Sequence, residues 1–163
     1  MKIVAVFYFL LFSKVNSFIF PRVQLFRNKI ITNSHFSILS TQITDKKILI
    51  QSLQDLNPYL IIDDKPSIIL GYNGNEAMAE VIIRQENGMD IGFSLKDGKY
   101  EMVTDLQFWY QKIPPELFLE RLSQKYSINT VLDSLDEEGF YTDCLIYNNE
   151  TSCVEIKASR YIP

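Results

Sequence analysis

Between Ala79 and Trp109 the chain reads AEVIIRQENGMDIGFSLKDGKYEMVTDLQFW, short apolar runs divided by Asn87-Gly88 and by Asp97-Gly98. Both dipeptides suit two-residue type I′ hairpin turns, so the pattern predicts three antiparallel strands in a meander. The turns then set a register. With Asn87-Gly88 as loop residues, Ile82 faces Phe93 and Arg84 faces Ile91; with Asp97-Gly98, Leu95 faces Tyr100 and Phe93 faces Met102. This puts Ile82, Ile91, Phe93, Leu95, Tyr100 and Met102 on one continuous apolar face. Val81, Ile83, Asp90, Gly92, Ser94, Glu101, Val103 and Asp105 share the other, mixed face.

The flanking segments complete the element order. Ser34 to Thr44 alternates as an opening strand, and Thr44 or Asp45 caps a helix from Lys46 to Leu56 whose Leu49, Leu53 and Leu56 form one stripe before Asn57-Pro58 ends it. Tyr59 to Ile62 and Ser67 to Tyr72 read as strands. Gly71-Tyr72-Asn73-Gly74-Asn75 is a turn and not a phosphate cradle, because no lysine-serine pair follows it. Pro114-Pro115 opens a second helical stretch with Leu117, Phe118, Leu122 and Tyr126 on its stripe, interrupted near Ser127 to Asn129 and resuming to a stop at Gly139. A last hairpin joins Phe140–Tyr147 to Ser152–Tyr161 through the three residues Asn148-Asn149-Glu150. That register sets Cys144 against Val154 and Thr142 against Ile156, and places Phe140, Cys144, Ile146, Val154, Ile156 and Ala158 together. The fold class expected is α+β: a largely antiparallel sheet with the two helical stretches packed on one face.

At 163 residues and 47% apolar content the chain can bury a sizeable core. Its charge is uneven. Met1 to Asn33 holds five basic residues and no acid, which leaves eleven basic against twenty acidic residues from Ser34 onward, a formal charge of −9. A body of that sign repels phosphate backbones and displays no basic patch, so nucleic acid is not expected as a partner.

Lys2, the apolar run from Ile3 to Phe12, Ser13-Lys14 and the small residues before Phe18 have the parts of a secretory leader cleaved after Ser17. The run falls short of the roughly 20 residues a transmembrane helix needs, so no transmembrane segment is expected in the mature protein. Phe18 to Asn33, FIFPRVQLFRNKIITN, is acid-free and arginine-containing, a transit-like composition. Residues 1–33 are therefore read as a bipartite presequence, 1–17 and then 18–33, ahead of one α+β domain over 34–163. The rival is simple secretion, with Asn149-Glu150-Thr151 as a glycosylation sequon and Cys144 and Cys153 open to oxidation.

Chemistry is sparsely marked. Asp90 and Asp105 become cross-strand neighbours if both turns hold, and two adjacent carboxylates can hold a cation or act as acid and base; paired charges at a wet strand end are the plainer alternative. His35 is the only histidine, and with Cys144 and Cys153 it lacks the spacing of a zinc site or a nucleophile triad. The thiols read as free, with neither redox-motif nor cluster spacing. Neither a cofactor nor a metal is implied. Phe108, Trp109 and Tyr110 are three consecutive aromatics that one strand face cannot hide, so they mark a partner-docking spot, unless Trp109 tucks beneath the helix after Pro114.

Three blocks, SHFS at Ser34 to Ser37, AEVIIRQENGMDIGF at Ala79 to Phe93 and YEMVTDLQFW at Tyr100 to Trp109, together resemble the hypothetical chloroplast reading frame thirty-five family of cyanobacteria and red-lineage plastids. LSQKY at Leu122 to Tyr126 and Gly139-Phe140 extend the resemblance. Met1 to Asn33 departs from it, and resembles the presequences of nuclear-encoded proteins in algae with secondary red plastids, where a phenylalanine follows the cleavage point. The resemblance implies an imported chloroplast protein and transfers no catalytic residue. The function expected is noncatalytic support of the photosynthetic apparatus by binding an unknown plastid protein. The alternatives are a metal-binding or hydrolytic enzyme centred on Asp90 and Asp105, and a secreted glycoprotein.

Overall fold

The computed structural model describes Lys2–Leu10, residues 36–148 and Cys153–Tyr161. In order, these form β1 (Lys2–Leu10), β2 (Phe36–Ser40), α1 (Lys46–Leu56), β3 (Ile61–Asp63), β4 (Ser67–Leu70), β5 (Glu76–Ala79), β6 (Val81–Arg84), β7 (Ile91–Lys96), β8 (Lys99–Asp105), α2 (Pro115–Glu137), β9 (Tyr141–Asn148) and β10 (Cys153–Tyr161). The class is α+β, as the pattern predicts. The chain divides into two compact units: the described residues from Phe36 to Tyr126 form the first, and β1 with those from Ser127 onward forms the second.

The first unit is built on an antiparallel five-stranded sheet in the order β2-β8-β7-β6-β3. Val81, Ile83, Ile91, Phe93, Tyr100 and Met102 line one face, buried against Ile43, Leu49 and Leu53 around α1 and Phe118, Leu119 and Leu122 of α2. The opposite face carries Ile82 and Val103, buried against Ile69 and Ala79 of the β4–β5 hairpin. Gly92 lies where the hairpin crosses the sheet. A Cβ there would sit 2.5 Å from Ala79 Cβ and 2.9 Å from Ile69 Cδ1, so only glycine lets the layers close.

Local chemistry explains the helices. Asp45 caps α1 by accepting from the Ile48 amide at 2.8 Å, while Ile48, Leu49, Ser52 and Leu53 form its buried stripe. The Tyr126 hydroxyl accepts from the Asp45 amide at 3.0 Å, which ties α2 to that cap. α2 runs unbroken through Ser127 to Asn129, where the sequence suggested an interruption, because Ile128 is buried and anchors that turn. It ends at Gly139 in the left-handed region (φ +76°), with Phe140 N donating to Leu135 O and Gly139 N to Asp136 O, a Schellman stop.

Two registers differ from expectation. Asp97 (φ 50°) and Gly98 (φ 78°) form the tight turn foreseen, and Leu95↔Tyr100 and Phe93↔Met102 pair accordingly. Between β6 and β7, however, the pairs are Val81↔Phe93, Ile82↔Gly92 and Ile83↔Ile91, one residue from the two-residue-turn register. Asn87 is not left-handed; its side chain accepts from Met89 N at 3.1 Å, and Gly88 N closes the turn onto Gln85 O. The loop is therefore longer, and Ile82 exchanges faces with Val81 and Ile83.

In the second unit β10 lies between β1 and β9, antiparallel to both. Val154, Ile156 and Ala158 are buried with Ile128 and Leu135 of α2, and Phe140 packs alongside. The Arg160 guanidinium lies 4.7 Å over the Phe140 ring. Here too the register is corrected: Cys144 faces Lys157 and is an exposed free thiol, and a bulge follows before Thr142 meets Ala158. Asp143 is the residue left over at the bulge, where its carboxylate accepts from Ser159 Oγ at 3.1 Å. Lys2–Leu10 belongs to the segment read as a leader; the transit-like residues 18–33, His35 and the sequon at Asn149 lie outside the described residues.

Phe93→Ala should destabilise the chain by about 3–5 kcal/mol, and Gly92→Ala by about 1–3 kcal/mol through overpacking at the hairpin crossing. Chemical denaturation of the full chain measures both. Parental stability in Gly92→Ala would mean that the β4–β5 hairpin does not lie on that face.

Candidate docking surface

The two sequence-nominated features, the aspartates and the aromatic run, occupy one region of the first unit, but the chemistry is divided differently from the carboxylate-pair reading. Asp90 immediately precedes β7 and is 7% exposed. One of its oxygens accepts from the Gln85 amide at 2.8 Å and the other from Arg84 Nη1 at 2.7 Å. Arg84 reaches Asp63 at 2.9 Å with its other terminal nitrogen, so one guanidinium bridges two strands' ends. Asp90 and then Asp63 raise the Arg84 pKa above its ordinary value; Arg84 and then the Lys65 amide hold Asp63 below the usual carboxylate range.

Asp105 ends β8 opposite Phe36 and is 2% exposed. Its carboxylate accepts from Tyr72 N at 3.2 Å and from Gln107 N at 3.1 Å, opening a 3-10 turn over Leu106–Phe108. The two aspartates thus serve separate partners. Each carboxylate oxygen accepts from an amide or a guanidinium, as a buried carboxylate requires. Among the described residues no group of three or more His, Cys, Asp or Glu is placed to hold a metal ion.

What these carboxylates position is the aromatic segment. Gln85, oriented by Asp90 at its amide and by its own side-chain bond to Met89 O, accepts from Tyr110 N at 3.0 Å and from Gln111 Nε2 at 3.1 Å through Oε1. Asn87 Nδ2 donates to Phe108 O at 2.8 Å. On the other side, the Asp105 bond to Tyr72 N brings Tyr72 beside Phe108, and the rings stack at 5.7 Å. Trp109 turns inward: its indole N–H donates to Ile113 O at 2.7 Å, and its ring meets Phe118 edge-on at 5.5 Å.

The result is a platform of half-buried Phe108 with Tyr72 (41% exposed), Leu106 (40%) and Tyr110 (59%), whose backbone is pinned on both sides by buried side chains. Of the three aromatics nominated from sequence, Phe108 and Tyr110 belong to it and Trp109 belongs to the core side. Tyr72 and Leu106 were missed. Leu106 lies inside the quoted block, but Tyr72 is 33 residues from Asp105, and nothing local announces that pairing.

Residues 52–150, more than half of the chain, match the family described as a protein of unknown function (DUF1257). An uncharacterized protein ycf35 of Guillardia theta is 39% identical over 108 residues, 66% of this chain and 83% of the relative. Proteins of the same description from Pyropia yezoensis and Cyanophora paradoxa are 36% and 34% identical over 107 residues, covering 66% of this chain and 82% of each relative. No solved structure matches. With the family match and these relatives together, the chain belongs to the ycf35 family.

Proposed function

We propose that this is a noncatalytic plastid protein that binds another protein through the Tyr72, Leu106, Phe108 and Tyr110 platform. The observation that carries the reading is the use made of two buried side chains: Asp105 holds the backbone of an exposed aromatic segment at Tyr72 and Gln107, and Gln85, whose own amide is held by Asp90, holds it at Tyr110. Rigid aromatics bury large areas at little conformational cost, the property of interface anchors. A hydrolytic or metal reading needs the two carboxylates to share one substrate or ion, and their separate bonding partners argue against it. Support of the photosynthetic apparatus is the role this reading assigns to the chain through its binding of that partner, and membership in a chloroplast reading-frame family favours the plastid over secretion.

The same reading makes Met1–Asn33 a two-step import sequence, removed in the mature protein, with the gene in the nucleus. A reporter carrying Met1–Asn33 should reach the plastid interior, and Phe18→Ala should strand it before the last crossing. Delivery to the medium, or a glycan on Asn149 in the native host, would instead favour the secreted glycoprotein.

Binding is tested with the tagged full chain in plastid extract. Tyr110→Ala with Tyr72→Ala should lower recovery of the captured partner by about tenfold or more, the loss of at least one anchor worth about 1–2 kcal/mol, while the unfolding midpoint stays near the parent's. Equal recovery by parent and variant would overturn the platform as the binding site.

A further inference from the structure

β10 is an inner strand. It pairs with β1 along all nine positions from Lys2↔Tyr161 to Leu10↔Cys153, and Val154, Ile156 and Ala158 are fully buried. If the presequence is removed as proposed above, on which this inference rests, β10 loses that neighbour and becomes a nine-residue edge without proline. Such an edge, with a row of bare N–H and C=O groups beside an apolar face, is a ready template for pairing with another strand. β1 shows what the edge accepts: a long antiparallel strand.

The residues of β10 identify the occupant. From Val154 to Ala158 the strand reads Val-Glu-Ile-Lys-Ala. Laid antiparallel against itself about Ile156, this segment sets Val154 opposite Ala158, Ile156 opposite Ile156, and Glu155 opposite Lys157 at both symmetric positions. Apolar then meets apolar on the helix-covered face, and opposite charges meet on the other. Glu155 and Lys157 already attract within the chain, at 3.5 Å. Neighbouring two-folds fail: centring on Glu155 or on Lys157 opposes like charges, and centring on Ala158 sets Arg160 against Ile156. We propose that the processed protein is a homodimer in which the β10 strands of two copies pair about Ile156. The interface is isologous, the same strand contributing both halves, and joins two small sheets into one.

Native mass spectrometry of the protein isolated from its source's plastids reads processing and assembly together. The expected species lacks Lys2–Leu10 and has twice the mass of the processed chain. A processed monomer overturns the dimer while leaving the import reading intact; a native chain that retains Lys2–Leu10 overturns both. The register is tested in the full chain carrying a protease site after Asn33, sized by light scattering before and after the leader is cut and removed. A monomer should become a dimer. Glu155→Lys should weaken that dimer by about tenfold or more, since two attractions become repulsions, and Glu155→Lys with Lys157→Glu should restore it. A dimer indifferent to Glu155→Lys has its interface elsewhere and overturns the pairing. If the cut chain fails to stay folded, the native mass alone decides.

Discussion

The bond from the Gln85 amide to the Asp90 carboxylate is the constraint on which the first unit depends. It closes the β6–β7 connection across Gln85 to Asp90 instead of at Asn87-Gly88, and so sets Val81 against Phe93. A slip of one residue would turn every side chain of β6 to the other face. Val81 and Ile83 would leave the core under α1 and α2, and Ile82 would leave its place against Ile69 and Ala79. The same loop then reaches outward, through Gln85 to Tyr110 and through Asn87 to Phe108. Core register and one side of the surface platform follow from one carboxylate.

Much of this fold is legible in the sequence where local chemistry has no competitor. Asp97-Gly98 becomes a tight turn because both residues accept positive φ and nothing nearby bids for the Asp97 side chain. Asp45 caps α1, and Gly139 stops α2, for equally local reasons. Asn87-Gly88 carries the same turn signature and misleads, because Asp90, three residues on from Asn87, supplies a buried acceptor that makes a longer loop better bonded. The last hairpin errs in a related way. Apolar patterning favours Cys144 on the buried side, but the hairpin closes with Asn148 opposite Cys153, three residues out of the expected register, which sets Cys144 against Lys157; the bulge at Asp143 changes the phase only beyond that point.

The site was half legible. Asp90 and Asp105 stand out in the sequence as a candidate carboxylate pair, and Phe108 to Tyr110 as aromatics that one strand face cannot hide, with nothing local to link the two groups. Only the fold shows that the acids support the aromatics. Tyr72 needed both Asp105 and the placement of Gly71 against the Phe36 ring, where a Cβ would fall 2.9 Å from Cζ. Contacts of that sequence separation leave no periodic trace.

Backbone amide shifts of the full chain measured with Asp90→Asn and, separately, Asp105→Asn test most directly whether the two carboxylates act as independent supports. Asp90→Asn should move the Gln85 and Tyr110 amides and leave Tyr72 and Gln107 in place; Asp105→Asn should do the reverse. If either substitution moved all four amides alike, or if added Mn²⁺ broadened both sets together in the parent protein, the acids would form one coupled site, and the division of labour described for them would be contradicted.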